Sequence, residues 1–148
     1  GGFAVDHYSE FIFEFQKAYG GDYIYKNATD KANKANPIGR NAKVVLRKTN
    51  LENEGRLISY PLKFRKDNKS CVWLEYEIVN MLISWNLVER SGAWLSASES
   101  VMQTIIDNGA EIKEKFYEKD LLSLLEKNPK LTQDFFIKCK TLHSKGEF

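Results

Sequence analysis

The 148-residue chain has two cysteines, two histidines and three prolines, and each scarcity excludes a class of chemistry. Cys71 and Cys139 lie far apart with no CxxC spacing, so neither a zinc site nor a disulfide framework is indicated. A reducing, cytoplasmic setting is expected. His7 and His143 have no partner at ligand spacing, and His143, close to the end of the last predicted helix, complements the helix dipole. No metal site is expected. Long apolar runs are also missing: Glu75, Glu77, Asn80 and Ser84 interrupt the longest candidate, between Val72 and Val88, so no membrane partner is expected. The segment Gly1 to Tyr8 has no initiator Met and lacks the basic flank, apolar run and cleavage site of a secretory signal. A GxxxxGK[ST] loop is absent, so the chain by itself is expected to bind neither ATP nor magnesium and not to hydrolyse ATP. GxSxG and HExxH motifs are absent too.

What is present is an uneven charge. Residues 1–30 carry two basic and five acidic groups, residues 31–70 eleven and three, and residues 71–148 nine and twelve. A middle stretch at net +8 within a chain of net +2 fits a phosphate-facing surface, and it equally fits a solvated basic loop.

Patterning predicts an α+β chain in two parts. Ala4 to Glu10 suits a short helix, and Phe11-Ile12-Phe13-Glu14-Phe15 reads as a buried strand ended by Gly20-Gly21. Asn27 to Arg40 has neither helical nor strand period and reads as a loop. Lys43 to Arg47 and Leu57 to Phe64 read as antiparallel strands, with Pro61 placing the second at an edge or at a bulge. Arg65 to Ser70 is the expected boundary, dividing 1–66 from 67–148. Beyond it, Leu74, Ile78, Met81, Leu82 and Trp85 recur at helical spacing. Gly92 to Leu95 is short and extended. Val101 to Phe116 suggests further helical turns broken near Asn108-Gly109, and Asp120 to Glu126 forms a helix. Asn128-Pro129 then starts a last helix to about His143, with Asn128 as N-cap and Leu131, Phe135, Phe136, Cys139 and Leu142 inward.

Catalytic candidates are few. Cys71 and Cys139 fall among apolar residues, as structural thiols do. Glu75, Glu77, Glu111 and Glu114 suit solvated helix faces. Trp73, Trp85 and Trp94 are capable of stacking on bases, but each sits in an apolar run and reads as core.

Four segments, in order, resemble the end of RecA-type DNA recombinases, bacterial RecA and its phage relatives of the UvsX type. Gly1-Gly2-Phe3-Ala4-Val5-Asp6-His7-Tyr8 resembles the Gly-Gly pair closing the family's second DNA loop and the helix after it. Lys43-Val44-Val45-Leu46-Arg47-Lys48-Thr49-Asn50 resembles the basic hairpin strand. Leu87-Val88-Glu89-Arg90-Ser91-Gly92-Ala93-Trp94-Leu95-Ser96 is similar to Leu-Ile-Glu-Lys-Ala-Gly-Ala-Trp-Tyr-Ser, and Leu124-Leu125-Glu126-Lys127-Asn128-Pro129 to the helix-Asn-Pro-helix ending. The chain departs from the pattern in a longer loop from Tyr19 to Arg40 and an extra stretch around Ser98 to Tyr117. His7 replaces an aromatic Phe, and Asn50 replaces a second basic residue. Such divergence suggests a phage enzyme.

The resemblance implies an α/β P-loop parent of which this chain is the antiparallel edge of the core sheet (1–66) plus a small, mostly helical C-terminal domain with a short hairpin (67–148). It implies a cytoplasmic protein, in a bacterial or phage-infected cell, that self-associates into a helical filament on single-stranded DNA and exchanges strands with a duplex. ATP and magnesium belong to the full-length protein. Gly1 and Gly2 would end the primary DNA loop. Lys17 and Lys43 fall where the family holds its second DNA site, and Arg47 lies on the same strand. Lys48, with Asn50 beyond it, falls where a lysine reaches ATP on the neighbouring subunit and acts in catalysis. Solvated strand-end charges remain the plain alternative for each cation. A stand-alone DNA-binding or filament-regulating module, and a small carboxylate-dependent hydrolase or nuclease, are the other classes.

Overall fold

Alternation along Gly39 to Lys48 builds the longest strand of the molecule, with Ala42 and Val44 buried. The computed structural model describes residues 10–27, 29–31, 36–48, 55–65, 67 and 70–145. Gly1, Gly2, His7 and Asn50 lie outside them, as does all of the predicted helix Ala4–Glu10 except Glu10. The fold is mixed α+β, with an antiparallel sheet, four α-helices among the described residues and a second small sheet. It divides into two compact units, Gly1–Trp73 and Leu74–Phe148. The division falls seven residues beyond the expected 66/67 boundary because Ser70–Val72, which follows the charged break Arg65 to Ser70 and overlaps it only at Ser70, pairs with Leu57–Phe64.

The first unit contains β1 (Ile12–Phe15), a 3-10 turn (Gly20–Asp22), β2 (Tyr23–Ile24), β3 (Gly39–Lys48), β4 (Leu57–Phe64) and β5 (Ser70–Val72). Strand β3 is covered on one side by β1 and β2 and on the other by β4, which β5 follows. All pairings are antiparallel. The expectation that Pro61 marks an edge strand or a bulge holds in part: β4 lies between β3 and β5, but β5 pairs only with Leu62–Phe64, so Pro61 stands where that ladder ends. Phe64 donates its N–H to Ile38 on the β3 side (2.8 Å), so alternate residues, Pro61 among them, point their nitrogens toward β5. There the ladder ends at Trp73 N–H donating to the Pro61 carbonyl (2.9 Å), so the missing donor costs one bond at a ladder end. β1 is a strand but not a buried one. Phe13 shares a face with Leu46, Phe15 with Val44 and Ile58 with Val44, yet Phe13, Phe15 and Ile58 are 56, 70 and 51% exposed.

The second unit contains α1 (Leu74–Ser84), β6 (Val88–Ser91), β7 (Trp94–Ala97), α2 (Glu99–Asp107), β8 (Lys115–Phe116), α3 (Glu118–Lys127) and α4 (Pro129–Lys145). Its apolar core joins Ile78, Leu82, Val88, Leu95, Ile105, Phe116, Leu121 and Phe135 among others, and α1 packs on α3 and α4. Helix α1 closes on Asn86 at φ 57, where Leu87 N–H reaches the Leu82 carbonyl and Asn86 N–H the Ile83 carbonyl, the paired bonds of a left-handed helix end. Gly109 ends α2 in the same way. The stretch read as further helical turns is therefore one helix, an irregular segment and a strand, β8, that returns to β7. At the α3–α4 junction Asn128 holds the expected position just before Pro129, but its side chain donates back to the Leu124 carbonyl (2.8 Å) and so closes α3 instead of capping the N–H groups of α4. Its main-chain carbonyl accepts the Thr132 N–H (3.0 Å), the first bond of α4. Phe136, expected inward, is exposed, one position round from the buried Phe135. Among the described residues no helix is long and apolar enough to cross a membrane.

Candidate nucleic-acid interface

Three of the cations singled out from sequence, Lys43, Arg47 and Lys48, lie on β3, and the first two are each held by a carboxylate from a different part of the first unit. Lys43 projects beside the 3-10 turn, where its ammonium lies 2.5 Å from Asp22 Oδ1. The other oxygen of Asp22 accepts the Tyr19 N–H at 2.9 Å. Asp22 is buried while Lys43 is about one-third exposed. Burial alone would raise this carboxyl. The Lys43 ammonium first, and the Tyr19 N–H second, overcome it and hold the carboxyl below its ordinary range.

Arg47 donates a charge-assisted hydrogen bond to Glu14 of β1, and Gln16 Nε2 also donates to Glu14 (2.7 Å). The Arg47 guanidinium, then Gln16, lower the Glu14 carboxyl, and Glu14 in turn raises Arg47. The β1–β3 register steps from Phe13 opposite Leu46 to Ile12 opposite Lys48, which leaves Arg47 as the extra residue; strand alternation puts it on the same face as Val45, opposite which Glu14 stands. Lys48 is partly buried at the last position of β3. Lys17 is exposed two residues beyond β1.

The fold therefore brings Lys43 and Arg47 onto one strand, but as ion pairs. Glu14 and Asp22 had not been singled out. Glu14 carried a signal, as the one charged residue in Phe-Ile-Phe-Glu-Phe, on the opposite face of β1 from Phe13 and Phe15. Asp22 carried none, since its partner lies across a loop.

Elsewhere in this unit the Lys63 ammonium lies over the Trp73 ring, 5.0 Å from its centroid, and Arg65 sits 3.6 Å from Asp67. Trp73 is buried and Trp85 partly buried, but Trp94, read as core, is exposed. Glu77, read as part of a solvated face, is partly buried, and this raises its carboxyl. Burial pushes the Cys139 thiol up to about 11, which leaves it protonated and unreactive at neutral pH. Among the described residues no group of three or more His, Cys, Asp or Glu side chains is placed to hold a metal.

Chemically, β3 offers ion pairs in which a phosphate can replace a carboxylate. Such an exchange gains less than binding a bare cation, because the carboxylate must be resolvated as the phosphate binds. No protein-family model matches the chain, and no curated protein matches it significantly.

Proposed function

We propose that this chain is the C-terminal part of an ATP-dependent RecA-type recombinase, which forms filaments on single-stranded DNA and exchanges strands with a duplex. The observation that carries the reading is Leu87–Ser96, the segment most similar to the family. It forms the β6–β7 hairpin, with Gly92 at φ 62 supplying the turn. Support also comes from the first sheet, where Phe13, Phe15 and Ile58 are left exposed on one face. A sheet that forms the edge of a larger core needs such a face, whereas a stand-alone module would expose it to water at a cost.

In this reading Lys17, Lys43 and Arg47 meet DNA through phosphates, without reading bases, and Lys48 is the cation offered to ATP on the neighbouring subunit. ATP and magnesium are held by the other half of the parent protein. The chain alone binds DNA weakly, with little sequence preference, and affinity falls as salt rises. Titration of labelled single-stranded and duplex DNA at several salt concentrations tests this. Binding insensitive to salt, or DNA-stimulated ATP hydrolysis by the chain alone, contradicts it. A phosphate loop encoded upstream of Gly1 distinguishes a recombinase from a separate filament-regulating module.

A further inference from the structure

The outer face of the small sheet carries an aromatic pair that the reading above does not use. Along β7, Leu95 is buried and lies opposite Phe116, so the intervening Trp94 and Ser96 turn to solvent. Tyr117 follows Phe116 and falls beside Trp94, their ring centroids 4.3 Å apart and their planes 25° from parallel. Trp94 is 44% exposed and Tyr117 37%. Lys115 stands opposite Ser96 on the same face, and the Lys119 ammonium lies 5.2 Å from the Tyr117 centroid. Two neighbouring acids are already engaged: Glu118 with Arg90 at 2.5 Å, and Asp120 with the Tyr117 N–H at 2.9 Å. Glu89, opposite Ser96 on β6, lies on the same face.

We propose that Trp94, braced by Tyr117, is a stacking platform for an unpaired base of single-stranded nucleic acid, with Lys115 and Lys119 beside the flanking phosphates. The inference rests on the DNA-binding reading above and adds a second contact of different chemistry. Shape selects the occupant. The two rings touch, so no cleft remains between them for the ridge of a proline-rich peptide or an aliphatic side chain. What remains is the flat face of an indole, which a planar base matches. Stacking of this kind tolerates any sequence, because every base has a π-face. The two lysines supply the sign of charge that a phosphate chain requires.

The test uses the full 148-residue chain and two labelled probes of equal length, oligo(dT) and an abasic oligonucleotide, read by fluorescence anisotropy at low salt. The wild type is expected to bind oligo(dT) more tightly than the abasic probe. Trp94→Ala should weaken oligo(dT) binding by roughly 5- to 150-fold, the range expected for one lost base stack, and leave abasic binding unchanged. Trp94→Phe, which keeps a ring, should stay within a few-fold of wild type. If Trp94→Ala proves poorly folded by circular dichroism, the wild-type preference for oligo(dT) and the Phe variant decide the matter. Equal affinity of the wild type for both probes, with normal salt dependence, overturns the platform and leaves the electrostatic reading standing. Absence of binding to either probe overturns both.

Discussion

Asp22 holds Lys43 in an ion pair at 2.5 Å, with the carboxylate buried and the ammonium partly open to water. The geometry ties the 3-10 turn to the middle of β3 and lowers the charge that β3 presents. If Lys43 meets phosphate, Asp22 restrains it. Asp22→Asn keeps the size of the side chain and leaves an oxygen for the Tyr19 N–H, but releases the cation. DNA affinity at low salt should rise several-fold, and the slope of log K against log salt should steepen by about 0.7 to 0.9, the value of one added phosphate contact. Glu14→Gln should do the same through Arg47. Unchanged affinity and slope in both variants would place Lys43 and Arg47 outside the DNA site.

Acid should weaken the same pairs. The folded-state values of Asp22 and Glu14 lie below the ordinary carboxylate range, so their stabilisation is present above about pH 4 and is lost as pH falls through the folded values. Cys139 and Tyr76 behave oppositely: burial raises the thiol to about 11 and raises the phenol. Their contribution is complete below the ordinary thiol and phenol values and is lost as pH climbs toward the folded ones. Thermal melts across pH should show an acid loss that Asp22→Asn with Glu14→Gln reduces. They should also show an alkaline loss above about pH 9 that Cys139→Ala reduces.

Gly39 has a structural requirement of its own. A Cβ there would lie 2.4 Å from the Leu62 carbonyl oxygen and 3.3 Å from the Trp73 ring, and the first of these is backbone that cannot swing aside. Gly39→Ala should cost about 1–3 kcal/mol, as overpacking does. Gly20→Ala meets nothing within 4 Å and should stay within about 0.5 kcal/mol. Urea melts of the two variants provide the comparison, and equal midpoints would remove the close approach at Gly39.

The periodic elements were legible because their patterns are long: α1 from Leu74, Ile78 and Leu82, and the β3–β4 pair from runs of branched residues. The two-residue strands β2 and β8 were not, since so short a strand is defined by its ladder partner and has no period of its own. Exposure was misread where a strand with a strand's composition lacks a covering layer, as at Phe13 and Phe15, and where adjacent aromatics compete for one helix face, as at Phe135 and Phe136. Lys43 and Arg47 were visible as residue types at the two ends of the predicted basic strand. Their carboxylate partners were not, because Asp22 lies 21 residues away in sequence and Glu14 33.

The Phe135–Phe136 pair separates core from surface within one dipeptide. Phe135 is fully buried in the core of the second unit, whereas Phe136 is 39% exposed. Phe135→Ala should destabilise this unit by about 3–5 kcal/mol. Phe136→Ala should cost well under half as much, because less surface leaves water when the ring packs. Denaturant unfolding followed by far-UV circular dichroism measures both, and equal costs would mean that Phe136 is covered.

Lys48 gives the sharpest test of the recombinase reading. A terminal phosphate between two subunits carries negative charge that the binding subunit's own lysine and magnesium do not fully neutralise, and a cation from the neighbour supplies the remainder. An ammonium in that place strengthens the interface when ATP is bound and stabilises the charge that develops during phosphoryl transfer. If the recombinase reading holds, Asn50, standing where the RecA-type family that the sequence resembles carries a second cation, would leave Lys48 with more of the task unless Arg47 shares it. Arg47 is already bonded to Glu14, so it would have to open that exposed ion pair before it could share the task. On the recombinase reading, Lys48→Ala in the full-length protein should therefore abolish most DNA-dependent ATP hydrolysis and weaken ATP-dependent filaments, while single subunits still bind ATP. A lysine that serves only as a strand-end charge predicts a stability change within about 0.5 kcal/mol and normal turnover. Hydrolysis and filament assembly, measured on the variant alone and mixed with wild type, separate the two. Full turnover in the pure variant removes Lys48 from the mechanism.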